Sequence, residues 1–340
     1  MLSGAFCPAP PPLPCTPPWW ARGGHLQTLI GNSLPGPPPN PAFRRIELTL
    51  PDGDRLAGRE YPGGGDTLVC LFHGLGGDND ADYMRRGVAV AQELGHGAWS
   101  FNHRGCGDGA GLAAGIYHSG RADDLGAVFA HARAVHPGKR LVAVGFSLSG
   151  NALLLNLGEG IGRFEKPDLA IAVNPPIDLE KGARLLERGL NRVYDLRFVL
   201  RCRRAVRERV AAGLIPDRYR IPSWTTLRGF DDLVTAPIGG FRDREDYYAR
   251  CSAMPHLAKI DRPTVVLAAR DDPFIDWRDH VAAEKSDLVH LHLEDFGGHM
   301  GYVGKGVPRM RWLDFALTHY LRELVGAEGR MVASGPPQTP

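Results

Sequence analysis

Three side chains in this sequence are of types that can do nucleophilic chemistry together, and each follows an apolar run. Ser147 lies in "VGFSLSGNALLL" (Val144–Leu155), Asp272 in "RDDPFID" and His299 in "EDFGGHMGY". A serine hydroxyl is a weak nucleophile until a base takes its proton, and the base needs an acid to fix its tautomer. Serine, aspartate and histidine in that order along the chain is one arrangement that supplies all three. The chemistry would be attack on a carbonyl carbon, with an acyl-enzyme as intermediate.

Two serines compete for the role of nucleophile. A nucleophile elbow reads G-x-S-x-G, and here Ser149 stands at its last position. The turn needs small residues two before and two after the nucleophile, where the backbone packs against neighbouring strands. Ser147 has Gly145 and Ser149 at those places; Ser149 would have Ser147 and the larger Asn151. Ser147 is therefore the expected nucleophile, with Ser149 as a small residue in a glycine's place. On that reading Ser149→Gly leaves turnover largely intact. The N–H of Leu148, opening a helix, is free to stabilise an oxyanion. "HGLGG" (His73–Gly77) offers a second such donor through Leu75. Asp272 fits the acid better than Asp271 because Pro273-Phe274-Ile275 follows it. His290 and His292 alternate along one strand and suggest no third metal ligand, so they read as strand residues. His73–Asp78 and His103–Asp108 both match an H-x-x-x-x-D acyltransferase spacing; two matches in one chain show how cheaply that pattern arises. Arg104 is either structural or at the rim of the site.

These residues need a scaffold that presents strand ends side by side. The 340 residues, 43% hydrophobic and 23% charged, suit an ordinary globular chain, and a net charge of +2 gives no case for nucleic-acid binding. "FRRIELTLPDGDRLAGREY" reads as a hairpin around Pro51-Asp52-Gly53. Apolar runs such as "TLVCLF", "RLVAVGF" and "PTVVLAA" then alternate with amphipathic helices, which predicts a mostly parallel central sheet flanked by helices. The alternation lapses near Asn174-Pro175-Pro176. The reading is an α/β core over residues 43–177 and 261–326, a helical lid or cap insertion over 178–260, a proline-rich arm over 1–42 and a flexible tail over 327–340. Trp19 and Trp20 are expected to anchor the arm on something apolar, the domain in preference to a lipid surface. Ligands bind beyond the carboxyl ends of strands in open sheets of this kind, where Ser147, Asp272 and His299 all fall. "MLSGAFCPAPPPLPCTPPWW" lacks a basic n-region and a long apolar run, so a cytoplasmic protein with reduced cysteines is expected.

The sequence resembles the YheT-like branch of the α/β-hydrolases, the AB hydrolase 4 family. The resemblance rests on "GHLQT" (Gly24–Thr28), "HGLGG", "NHRGC" (Asn102–Cys106), "YHSG" (Tyr117–Gly120) and "GFSLSGN", then "FDDLVTAPIGGF" (Phe230–Phe241), "DYYARCSA" (Asp246–Ala253), "DDPF" and "GGHMGY". It implies an α/β-hydrolase fold, a Ser147–Asp272–His299 charge-relay triad and esterase activity, with lipid substrates in eukaryotic relatives. The expected function is carboxylic-ester hydrolysis with a small-molecule or lipid-like ester and no metal or organic cofactor. The alternatives are an acyltransferase or peptidase using the same triad, and a non-catalytic binding protein on the same fold. No role is known for "YHSG" or "FDDLVTAPIGGF". Within the insertion, "RGLNRVYDLRFVLRCRRAVRERV" interleaves Arg192, Arg197, Arg201, Arg203, Arg204, Arg207 and Arg209 with apolar residues. A solvated face on a packed helix is the ordinary reading; peripheral contact with an anionic membrane is the other.

Overall fold

The computed structural model describes residues 6–34, 41–159 and 163–332. Helix α1 (Gly24–Ser33) precedes the hairpin of β1 (Arg44–Thr49) and β2 (Arg55–Tyr61). Then come β3 (Thr67–Phe72), α2 (Asp82–Glu93), β4 (Gly97–Phe101), α3 (Ala122–Val135), β5 (Arg140–Phe146), α4 (Leu148–Gly158) and β6 (Leu169–Val173). Next are α5 (Leu179–Leu186), α6 (Arg192–Ala211), α7 (Leu227–Phe230), α8 (Ala236–Gly239) and α9 (Arg244–Cys251). The chain closes with β7 (Thr264–Ala269), α10 (Trp277–Ala282), β8 (Val289–Glu294) and α11 (Trp312–Val332).

The eight strands form one sheet in the order β1-β2-β4-β3-β5-β6-β7-β8. β2 pairs antiparallel with β1 and β4, and the remaining pairs are parallel. β3, β5, β6 and β7 are the continuous apolar runs, and apart from Arg140 at the start of β5 every residue in them is buried. That is what a parallel strand covered on both faces requires. One face packs Phe129, Leu153 and Leu155 from α3 and α4; the other packs Met84 and Val88 from α2 with Trp312, Leu317 and Tyr320 from α11. The order turns about at β3, whose neighbours β4 and β5 lie on opposite sides. A crevice opens beyond the carboxyl ends at such a point, and it brings the loops after β3 and β5 together.

The arm is held to the core differently from the expectation. Trp19 is 84% exposed, so it does not anchor the arm, while Trp20 is 36% exposed and mostly covered. The attachments are hydrogen bonds and close backbone packing: Trp312 Nε1 donates to Leu13 O at 2.7 Å, Cys15 N to Glu294 Oε2 at 2.9 Å, and Gln27 is fully buried. α11 runs to Val332, into the segment read as a tail; residues 333–340 lie outside the described residues. Between β6 and β7 the described residues are helices and loops. α7 passes into α8 through a π turn over Asp231–Thr235. The arginines of α6 divide between two faces. Arg209 is buried and donates to Arg104 O at 2.7 Å, whereas Arg204 pairs with Glu208 on the surface.

Candidate active site

Ser147, His299 and Asp272 meet in one hydrogen-bonded line. His299 Nε2 lies 2.9 Å from Ser147 Oγ, and His299 Nδ1 lies 2.8 Å from Asp272 Oδ2. Ser147 sits between β5 and α4 with φ 52° and ψ −118°. A non-glycine residue at positive φ is strained and persists only where its surroundings hold it. Its N–H donates to Val173 O on β6 at 2.8 Å, and a Cβ on Gly145 would sit 2.6 Å from Ser149 O. The small residue two places before Ser147 is thus demanded by the close pass of α4 over the end of β5.

The Asp272 carboxylate accepts four hydrogen bonds. Besides His299, the donors are Asn174 Nδ2 at 2.8 Å and the N–H groups of Phe274 and Ile275, both at 3.1 Å. The two N–H donors come from the turn that follows Asp272 in sequence. Asn174 is a residue that sequence reasoning missed. It ends β6 at φ 46°, and its Oδ1 accepts from Tyr302 OH at 2.9 Å. The available signal was an asparagine, a residue that tolerates left-handed backbone, where the strand pattern stops before two prolines. Asp271 acts on the neighbouring backbone instead. Its Oδ1 accepts from Gly298 N at 2.8 Å, fastening the histidine loop.

The "GHLQT" stretch of α1 supports that same loop from the other side. His299 N donates to Thr28 Oγ1 at 2.8 Å, and Val303 N donates to Gln27 Oε1 at 2.7 Å. A Cβ on Gly24 would fall 1.6 Å from Asp271 O, so only glycine permits the approach.

Leu75 and Leu148 flank Ser147. Gly74 N, beside Leu75, donates to Tyr83 OH at 3.0 Å, and Leu148 is the first residue of α4. Among the described residues neither the Leu75 nor the Leu148 N–H has an acceptor. Both are available to a developing oxyanion.

Ser149 does more than fill a glycine's place. It is fully buried, and its Oγ donates to His73 O, lies 2.6 Å from His103 Nε2 and lies 2.9 Å from Tyr117 OH. The pattern sets the protons. His73 Nδ1–H donates to Gly74 O at 2.9 Å and its Nε2 accepts from His103 N at 3.1 Å. His103 Nε2–H and Tyr117 O–H then donate to Ser149 Oγ. Both imidazoles are neutral here, because burial pulls His73 down to about 4 and His103 well below the ordinary histidine value. Removing the hydroxyl strands those donors in a dry interior. Ser149→Ala and Ser149→Gly are each expected to lose about 1–3 kcal/mol of stability, while retaining turnover. Denaturant unfolding alongside an ester assay checks this; unchanged stability would show that the hydroxyl is filler.

The His103–Asp108 spacing forms no unit. Asp108 is bonded to Arg59, at 2.6 Å, while His103 faces Ser149. Arg104 is structural, buried against Asp124, Asp52 and Asp54. His292 bonds to Glu294 Oε1 at 2.8 Å and to Tyr320 OH. Asn151 explains two of the remaining motifs. Its amide donates to Ser119 Oγ at 2.6 Å and to Cys251 O at 2.7 Å, and accepts from Ala253 N at 2.9 Å. "YHSG" and "DYYARCSA" are thereby locked onto the helix that carries Ser147.

A family model for the alpha/beta hydrolase fold matches residues 67–305. YheT of Escherichia coli K12 is 34% identical over 325 residues, covering 89% of this chain and 92% of its own. The chain belongs to the YheT-like α/β-hydrolases. Monoacylglycerol lipase of Saccharomyces cerevisiae is 28% identical, covering 82% of this chain and 63% of its own length. Phospholipase ABHD3 of Mus musculus is 26% identical over 90% of this chain and 77% of its own. Among solved structures, the esterase Pf2001 of Pyrococcus furiosus shares the fold with a TM-score of 0.55 at 19% identity, covering 83% of this chain and 93% of its own. This chain is a hydrolase of the esterase and lipase type.

In this hydrolase Ser147 stands between two openings. One is a mouth lined by Leu29 and Asn32 of α1 and by Arg197 and Arg201 of α6, with Ser147 and His299 among its walls. The other is a cavity under the helices between β6 and β7, walled by Leu179, Ala183, Leu186, Phe230, Phe274 and Ile275. Asp231, from "FDDLVTAPIGGF", adds a polar patch to that cavity. Burial pushes its carboxyl up to about 6 against the hydrogen bonds from Thr235 and Tyr248, at 2.6 Å and 2.7 Å.

Proposed function

We propose that the protein is a carboxylic-ester hydrolase working through an acyl-enzyme on Ser147. The observation that carries the reading is the Ser147–His299–Asp272 line at 2.9 and 2.8 Å. His299 takes the Ser147 proton as Oγ attacks the ester carbonyl. The N–H groups of Leu75 and Leu148 hold the oxyanion, and His299 returns the proton to the departing alcohol. Water, deprotonated by His299, then attacks the acyl-enzyme, and His299 passes that proton to the departing Ser147 Oγ as the acid is freed. Asp272 fixes the imidazole tautomer and stabilises the imidazolium. The helices of residues 178–260 act as the lid, and the apolar cavity beneath them takes the acyl chain of a lipid-like ester. The monoacylglycerol lipase and phospholipase names of the relatives favour the same substrate class.

A panel of acyl esters, monoacylglycerols and peptide amides tests the reading, run with and without added alcohol acceptors. Esters should turn over to free acid, medium and long chains best. Cleavage of amides alone, or transfer to the acceptor as the main product, would overturn it. Ala183→Phe fills part of the cavity wall. It is expected to lower kcat/KM for decanoyl esters roughly tenfold relative to acetyl esters; an unchanged ratio would place the acyl chain elsewhere.

A further inference from the structure

α6 presents an outward face that water alone does not explain. Tyr194, Val199 and Val206 are buried on its inner side. On the outer side Val193 is 65%, Leu196 52% and Leu200 51% exposed, and Leu190, just before the helix, is 70% exposed. These residues recur at the spacing of one helical face. Arg192, Arg197, Arg204 and Arg207 are exposed on the same helix. Only Arg204 of these has a carboxylate partner among the described residues, Glu208. Across the mouth, α1 exposes Leu26 and Leu29. The two helices are joined: His25 stacks on Tyr194 with centroids 5.8 Å apart and planes 2° from parallel. Leu29 and Arg197 line the mouth itself.

An apolar patch rimmed by cations, set around the opening to the serine, is complementary to one kind of partner. Lipid chains accept the leucines and valine, and anionic headgroups accept the arginines. We infer that this face docks on an anionic bilayer, with the mouth turned toward the lipid so that an ester enters from the membrane. The inference deepens the ester-hydrolase reading, which supplies the reason for docking, but binding itself is independent of turnover.

The full-length Ser147→Ala chain is therefore the probe protein, sedimented with vesicles of phosphatidylcholine alone or phosphatidylcholine with phosphatidylglycerol. Binding should require phosphatidylglycerol and fall as salt rises. Leu196→Asp with Leu200→Asp should weaken it by at least about tenfold. In the otherwise wild-type chain the same pair should leave hydrolysis of a dissolved short-chain ester within about twofold, since surface changes of this kind perturb the fold little. Failure to pellet with anionic vesicles, or undiminished binding by the double variant, would overturn the inference. A dimer by light scattering that the double variant dissociates would overturn it too, because a second copy would then cover the face. If vesicles are bound as expected but no ester turns over, the docking inference stands and the ester-hydrolase reading fails.

Discussion

Ser147→Ala should lower kcat/KM for ester substrates by on the order of 10⁴-fold or more, leaving the fold intact. The loss is large because in the proposed mechanism the hydroxyl carries the covalent step, and no neighbour can replace it. Ser149 is the nearest alternative in sequence. Its Oγ is fully buried and bonded to His73, His103 and Tyr117, and Ser147 Oγ, not Ser149 Oγ, faces His299 Nε2. Removing one oxygen from Ser147 also relieves nothing in the backbone, since alanine at φ 52° is as strained as serine. Stability should therefore change little while activity disappears. The check is a fluorophosphonate probe beside steady-state kinetics and thermal unfolding: the parent chain should label and the variant should not. Labelling of the variant at Ser149, or activity retained within tenfold of the parent, would refute the assignment of the nucleophile.

Asp272→Asn is expected to cost about 10⁴-fold in kcat. The substitution keeps size and shape, yet it fails on hydrogen-bond accounting. Asp272 meets four donors: His299 Nδ1–H, the Asn174 amide and two backbone N–H groups. A carboxylate has acceptor capacity for all four, whereas an amide has one oxygen and a donor NH₂. If the amide oxygen turns to Phe274 and Ile275, the NH₂ faces both Asn174 Nδ2 and His299 Nδ1. The imidazole then answers by moving its proton to Nε2, where it can no longer take the serine proton. Asn174 can relieve its share by rotating its amide, but that forfeits the bond from Tyr302. Asn174→Asp would make matters worse for the parent chain by setting two carboxylates face to face. Single-turnover kinetics on an activated ester would show the acylation step slowed in Asp272→Asn with substrate binding nearly unchanged. A drop confined to KM would mean that Asp272 holds the substrate or the loop and leaves the imidazole alone.

The parts of the site that sequence reasoning reached are those that obey local rules. Ser147 is marked by small residues at fixed offsets, and His299 by glycines on either side of it. Asp272 was separable from Asp271 by the turn that follows, whose N–H groups do bond to it. The strands were legible because a parallel strand buried on both faces reads as an unbroken apolar run. What stayed hidden depends on residues far apart in the chain. Nothing near Asn174 in sequence says that its amide reaches Asp272, 98 residues on. Ser149 looked like a substitute for glycine because its three partners come from three other segments. Trp19 misled for the converse reason: a large aromatic residue in a proline-rich arm suggests burial, but the polar Gln27 and Thr28 are buried and Trp19 stays in water. A buried glutamine is legible only once the backbone groups it bonds are known.

The bond from His299 to Thr28 closes a loop of 271 residues. The entropic cost of such a closure rises only with the logarithm of its length, but contacts between segments so far apart form slowly. The serine elbow, between adjacent β5 and α4 and held by Val173 O on β6, needs only contacts within the chain up to β6. The imidazole cannot be seated until α1 and the loop after β8 have found each other. A chain that has folded as far as β6 thus has its serine turn in place while the histidine that faces it lies 152 residues further on.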